Sequence, residues 1–222
     1  MATLPPAPFH NLITSARGAS AIPSRTVLIN DQLPPFVADR PLTRAAVDFA
    51  AQRHERQRRE SDAAPFLLHP LEVAALLVGA GFGDEVVAAG VLHDILEKTE
   101  ATSEELREHF GERTAALVEA VSEDAAIDDY EPRKAGLRRQ VEAAGHDAQA
   151  IYAADKLAKT REMRALAARS HLSLTDPRLQ RRLVHYGQSL ELLESVMPDL
   201  PLVAQLRFEL WALRRLPPGP PD

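Results

Sequence analysis

The stretch VLHDILEKTE, residues 91–100, sets His93 and Asp94 side by side in an apolar run, with Glu97 and Lys98 following. On a continuous helix each residue advances about 100°, so Asp94 lies about 100° from His93, Glu97 about 40° and Lys98 about 140°, all on one arc. An apolar helix does not bury two ionisable groups unless something pairs with them. A divalent cation is the natural partner, because imidazole nitrogen with carboxylate oxygen suits manganese, iron or zinc. Further ligands are needed. LLHP offers His69 at a helix start, and IYAADKLAKT offers Asp155 on the apolar side of another helix. Taken singly, each has an equally good structural reading, as a satisfied core or surface histidine and as an aspartate that caps a helix or pairs with arginine.

Helices must position these groups. Alanine and leucine dominate and aromatic residues make up 5% of the chain, which favours packed helices over a sheet. PLTRAAVDFAAQRHERQRRE carries Ala46, Phe49, Ala50 and Arg53 on one face, with Thr43 as its expected N-cap. HPLEVAALLVGAG begins with a first-turn proline and ends in glycines. GDEVVAAGVLHDILEKT is apolar nearly all round and is expected to be one central, buried helix. Thr102 and Glu105 form a capping box, and Gly111 is expected to stop the helix they open. ERTAALVEAVSED, RKAGLRRQVEAAG, DAQAIYAADKLAKTREMRAL, PRLQRRLVHYGQSLELLESV and PLVAQLRFELWALRRL complete an all-α chain. Trp211 is expected to close the core, and His54, His109, His146, His171 and His185 to lie at the surface.

Composition narrows the function classes. The 222 residues are 45% hydrophobic and 26% charged, the balance of a globular protein with a sizeable core. With no cysteine, thiolate ligands, disulfides and thiol catalysis are excluded. A net charge of −6 argues against a nucleic-acid polymer as partner, although a local basic patch can hold one phosphorylated molecule. The longest apolar stretch, from Val73, is too short to span a bilayer, and the N-terminus lacks a secretory pattern. A soluble, cytoplasmic protein without a membrane role is the expectation. Seven prolines up to Pro41 mark residues 1–40 as an extended or partly disordered arm, with a short packed piece around SRTVLIND. Residues 41–216 form the expected domain, and residues 217–222 a frayed end.

HP at a helix start, HD 24 residues later and AADK another 60 or so residues on together resemble the metal-dependent HD phosphohydrolases. More narrowly, FAAQRHERQRRE, APFLLHPLEVAALL, GVLHDILEKTEATSEELREHFGERTAALVEAVSED and AADKLAKTREM look like the hydrolase domain of RelA/SpoT-type alarmone enzymes and their small stand-alone relatives, over residues 43–212. The resemblance implies an HD-domain helical bundle with a single-metal site at its centre. It makes His69, His93, Asp94 and Asp155 the ligands of one divalent ion, manganese in most of the family. It makes Glu97 the group that orients or deprotonates water, and Arg58 and Arg59 a basic pair facing phosphate. The implied reaction is removal of the 3′-pyrophosphate of (p)ppGpp or a similar phosphorylated nucleotide. No synthetase motif follows the domain, so hydrolysis and not synthesis is expected.

Departures from the family pattern surround the ligands. Lys98 stands where the alarmone hydrolases carry an aspartate, Glu60 where they often carry a lysine, Lys159 in place of an asparagine that helps hold the nucleotide, and Tyr152 in place of a lysine. Lys98 either pairs with Glu97 and lowers its basicity, offers charge to a substrate phosphate, or points away from both. These changes keep two alternatives open: a degenerate HD-domain protein that binds a nucleotide or a protein partner without turnover, and an HD phosphohydrolase shifted to another phosphorylated metabolite.

Overall fold

The computed structural model describes residues 33–168 and 176–215, and every described element is helical apart from one isolated bridge between Arg58 and Pro65. A 3-10 turn (Pro35–Val37) leads into α1 (Pro41–Arg53), and α2 (Leu68–Gly79), α3 (Asp84–Leu92), α4 (Ile95–Lys98) and α5 (Ser103–Val121) follow. Then come α6 (Tyr130–Ala144), α7 (His146–Ala168), α8 (Pro177–Val196) and α9 (Pro201–Leu213). The expectations for residues 1–32, including SRTVLIND, for His171 and for the C-terminal end fall outside the described residues.

α1 does not start as its sequence suggests. Thr43 is inside the helix and buried, and the N-cap position belongs to Arg40, whose side chain makes no capping bond. Asp84, at the start of α3, supplies the acceptor: its carboxylate takes the backbone N–H groups of Leu42 and Thr43 at 3.0 and 2.8 Å and the Thr43 hydroxyl at 2.6 Å. A carboxylate on the first amides of a helix satisfies orphan donors and complements the helix dipole. One residue thus ties the starts of α1 and α3 together, and the two helices pack along each other.

α1 also ends earlier than expected, at Arg53. HERQRRE has no apolar face to hold against the core. It folds instead into a turn closed by bonds from Arg59 N to Ala64 O and from Ala63 N to Arg59 O. Arg58 and Arg59 therefore sit on a loop, not on a helix.

α3 is buried at every position from Val86 to Leu92, as its composition requires. The helix does not continue through the HD pair: Asp94, at φ −94 and ψ 0, separates α3 from the four-residue α4. Gly90 sets the approach of α2, because a Cβ there would lie 2.4 Å from Leu77 Cδ1. α7 runs through the middle, against α2, α3, α5, α6, α8 and α9, and is buried without interruption from Ala148 to Ala158. Thr102 caps α5 by accepting the Glu105 N–H, and Gly111, at φ +80 and ψ 164, is non-helical and ends the first helical stretch of α5 as expected, a second stretch following across the kink.

α9 buries Leu202, Val203, Leu206, Leu210 and Leu213, which leaves Trp211 about 100° off that face. Trp211 is accordingly 52% exposed, stacked on Phe208 with Arg215 over its ring, and it does not close the core. No helix among the described residues is long and apolar enough to cross a membrane.

Candidate metal centre

Three helices converge on one point. The first turn of α2 contributes His69, the α3–α4 junction contributes His93 and Asp94, and the middle of α7 contributes Asp155. All four are buried, between 3% and 5% exposed. His69 Nε2 lies 3.2 Å from His93 Nε2 and 3.1 Å from Asp155 Oδ1, and His93 Nε2 lies 3.3 Å from the same oxygen. Donors ligating an ion at about 2.1 Å stand about 3.0–3.4 Å apart in octahedral or tetrahedral arrangement, so this triangle has the size of a coordination face. Asp94 Oδ2 lies 3.4 Å from His93 Nε2 and 3.8 Å from His69 Nε2, and it is buried with no hydrogen-bond partner. A buried carboxylate oxygen without a donor, aimed at two imidazole nitrogens, fits a cation. His69, His93 and Asp155 fit a divalent metal site.

Electrostatics agree with the geometry. Burial works against charge on Asp94 and Asp155, yet both are held well below the usual carboxylate range, Asp94 by Lys159 and His93, Asp155 by Lys156 and Lys159. Burial likewise opposes protonation of His93, but the charge on Asp94 and the closeness of the Asp155 and Asp94 carboxylates carry it up to about 9. Burial keeps His69 below its ordinary value against the pull of Asp155. Metal ligation needs neutral imidazole and ionised carboxylate, so an ion entering this cluster competes with protons.

The other residues singled out in the sequence are placed around this centre with unequal closeness. Glu97 Oε1 accepts the backbone N–H of Glu123 at 2.8 Å. The residue lies at the rim, but desolvation of its carboxylate raises its pKa, opposed by that N–H and aided by the Asp94 charge. Lys98 is exposed, with Nζ 5.3 Å from the centre of the Phe66 ring, and among the described residues no ion pair joins it to Glu97. The break at Asp94 thus dissolves the single arc expected for His93, Asp94, Glu97 and Lys98. Arg58 is exposed and bonds the carbonyls of Glu55 and Gln57 within its own turn. Arg59 grips Asp62 and lines a cavity of about 270 Å³ with Glu72, Arg161 and Glu162, one turn beyond His69 on α2 and two beyond Asp155 on α7. Lys159 reaches Asp155 Oδ1 at 2.8 Å and Asp94 Oδ1 at 3.7 Å.

Three residues with a stake in the site escaped sequence reasoning. Lys156 is buried and donates to Asp155 Oδ2 at 2.7 Å, its Nζ 4.4 Å from the Tyr152 ring centre; its apolar flanks in AADKLA were the available signal. His54 and His185, both expected at the surface, are 3% and 1% exposed. His54 follows buried Ala50 by one turn, and its Nδ1 bonds Gln57 Oε1 at 2.9 Å, while Gln57 Nε2 donates to the Lys98 carbonyl at 2.7 Å. His185 is covered by α6, whose Arg138 donates to its Nδ1 at 2.7 Å. His109 and His146 are exposed, as expected.

The model of the HD domain matches residues 46–176. The chain belongs to the HD-domain family. Within it, a Mus musculus guanosine-3′,5′-bis(diphosphate) 3′-pyrophosphohydrolase, MESH1, is 40% identical over 124 residues, 53% of this chain and 67% of that protein. A guanosine-3′,5′-bis(diphosphate) 3′-pyrophosphohydrolase of Aquifex aeolicus is 38% identical over 106 residues, 48% of this chain but 15% of that longer protein. Among solved structures, a metazoan ortholog of SpoT, described as hydrolysing ppGpp, superposes with a TM-score of 0.68 at 24% identity, covering 79% of this chain and 97% of that one. A Listeria monocytogenes protein superposes with a TM-score of 0.58 at 29% identity. The helices of this HD domain are assembled as in the SpoT ortholog.

Proposed function

We propose that this HD domain is a metal-dependent phosphohydrolase that removes the 3′-pyrophosphate of (p)ppGpp or a similar phosphorylated nucleotide. The observation that carries the reading is the buried triangle of His69 Nε2, His93 Nε2 and Asp155 Oδ1, with the unbonded Asp94 Oδ2 beside it. The activity for which the MESH1 and Aquifex relatives are named supports the choice of substrate.

His69, His93, Asp94 and Asp155 would hold one divalent ion, with Mn²⁺ the first choice. Such an ion, when bound, lowers the pKa of a coordinated water and neutralises charge on phosphate oxygens. Glu97, fixed through Oε1 by the Glu123 N–H, orients the water and takes its proton; its raised pKa makes it a stronger base than an ordinary glutamate. The water oxygen bonds to phosphorus, the bond from phosphorus to the ribose 3′-oxygen breaks, and that oxygen leaves with a proton. From ppGpp the products are GDP and pyrophosphate. Arg58 and Arg59 would offer positive charge to phosphate, Arg59 by exchanging Asp62 for substrate. Lys98, held over Phe66, adds charge at the rim where its replacement by aspartate would reverse it. A free nucleotide as substrate agrees with action in the cytoplasm.

Lys159 supports one second reading. An ammonium already on both carboxylates suits a domain that retains a phosphorylated ligand without turning it over. Incubation with Mn²⁺ and ppGpp, following release of pyrophosphate and GDP against an Asp94→Ala control, separates the two. Turnover that vanishes in the control establishes the hydrolase. Absence of turnover in a metal-loaded protein moves the assignment to another phosphorylated substrate or to binding alone.

A further inference from the structure

Asp155 carries two ammonium groups, one on each oxygen: Lys156 Nζ at 2.7 Å from Oδ2 and Lys159 Nζ at 2.8 Å from Oδ1. The two lysines are not equivalent. Lys156 is sealed, its side chain 6% exposed and its Nζ between the rings of Tyr152 and Tyr186 at 4.4 and 5.6 Å. Lys159 enters from the rim one turn further along α7, with 31% of its side chain exposed. Its ammonium sits on the oxygen that forms the triangle with His69 and His93 Nε2, and it reaches across to Asp94 Oδ1 at 3.7 Å. A divalent cation that fits this triangle meets a positive charge already lodged on one of its own donors.

We propose that Lys159 is a tethered counter-cation that competes with the divalent metal for Asp155 and Asp94 and withdraws toward the rim when the metal is seated. This rests on the metal-centre reading above and adds to it a determinant of metal affinity supplied by the protein itself. The physical basis is charge balance. Two buried carboxylates facing each other need a cation, and Lys159 provides one through its own chain. A dication brings more charge to the same oxygens, but only after the ammonium has been displaced or endured at close range. The open stem gives Lys159 a way out that Lys156 lacks. Lys156 therefore stays as a permanent neighbour of Asp155, while Lys159 is the mobile competitor.

The test is direct titration of the whole, metal-stripped protein with Mn²⁺, and separately with Zn²⁺, by calorimetry, together with thermal melts. Wild type is compared with Lys159→Met and Lys159→Gln, which keep the stem and remove the charge. Both neutral variants are expected to bind Mn²⁺ at least about tenfold more tightly than wild type, since a like charge within a few ångströms of a site disfavours a second by about one pK unit or more. Their metal-free melting temperatures should fall, because two carboxylates lose a counter-charge, and Mn²⁺ should raise them by more than it raises wild type. Lys159→Arg, which restores the charge, should return affinity toward the wild-type value. Wild type that binds metal while both neutral variants bind no tighter overturns the competition and leaves the metal centre standing. Folded proteins of which none takes up either metal overturn both.

Discussion

His93 Nδ1 donates to the carbonyl of Gly90 at 2.8 Å, so the histidine is oriented by the same residue that lets α2 approach α3. A carbonyl can only accept, which fixes the proton on Nδ1 and turns Nε2 toward His69 and Asp155. A ligand histidine anchored through its second nitrogen is the usual way a metal site is stiffened. Here the anchor is backbone and the spacer is the absence of a side chain.

Gly90→Ala should therefore disturb folding and metal binding together. The added methyl would meet Leu77 Cδ1 at 2.4 Å in the core, and relief requires Leu77 or α2 to move. A stability loss of about 1–3 kcal/mol is expected in urea titrations, with weakened Mn²⁺ affinity in the fraction that folds. An unchanged midpoint would mean that Leu77 repacks freely and that the close approach does not matter.

Asp94→Ala removes the one buried carboxylate oxygen among the described residues that has no hydrogen bond. Metal affinity should fall more than about a hundredfold, beyond what loss of a supporting residue costs, and hydrolysis should fall to background. Circular dichroism should remain that of a helical protein. Metal retained at wild-type affinity would remove Asp94 from the ligand set.

Glu97→Ala should separate binding from turnover. Metal content, measured on the purified protein, is expected to be unchanged, while kcat drops by about 10²–10⁴. The acid limb of the wild-type rate profile should lie above the ordinary glutamate range, because desolvation raises this carboxyl and the active form is the ionised one. Full activity in the variant would end the assignment of Glu97 as the base.

Lys98→Asp restores the charge type that the alarmone hydrolases carry. Lys98 is exposed and its visible side-chain contact is the Phe66 face, so the change should cost less than about 1 kcal/mol of stability. Hydrolysis of ppGpp should rise if the altered rim limits the rate. An unchanged kcat/KM places Lys98 off the reaction path.

His185 makes stability depend on pH. Burial, with Lys156, Lys134 and Arg138 nearby, pushes it from 6.5 down to about 2, so the folded protein keeps it neutral where the unfolded chain protonates it. Its contribution is complete above pH 6.5 and is lost progressively as pH falls toward 2. Between pH 7 and pH 5 this group alone should cost about 2 kcal/mol of unfolding free energy. His185→Gln should show a correspondingly flatter dependence in urea titrations at the two pH values, and parallel curves would assign the acid sensitivity to other groups.

The fold was readable because apolar periodicity and caps are local. α2, α5, α8 and α9 lie where their patterns put them, and the residues of the candidate metal centre were marked by ionisable groups inside apolar runs. Misreadings came where a partner distant in sequence decides. Thr43 gave way to Asp84 as the cap of α1 because a carboxylate 41 residues away meets the same amides. His185 looks polar in RRLVHYGQS and becomes buried only when α6 lays Arg138 on it. Trp211 looks like core by type, but its angular position on α9 turns it outward. Lys159 is one turn from Asp155 in any helix, yet its seat on Asp94 requires the α3–α4 junction to arrive from elsewhere.

The interruption at Asp94 divides the site into parts with different evolutionary freedom. His93 and Asp94 directly follow the buried run of α3, where a substitution is felt by the whole bundle. Just beyond it, Ile95 still packs into the core, but Glu97 and Lys98 at the end of α4 reach the rim and are exposed. In the proposed hydrolase, mutations that retune which phosphorylated molecule is accepted would accumulate on that short outer segment at little risk to folding, while the residues that would hold the metal are inherited almost as part of the core. A hydrolase built this way would change its substrate before it lost its metal.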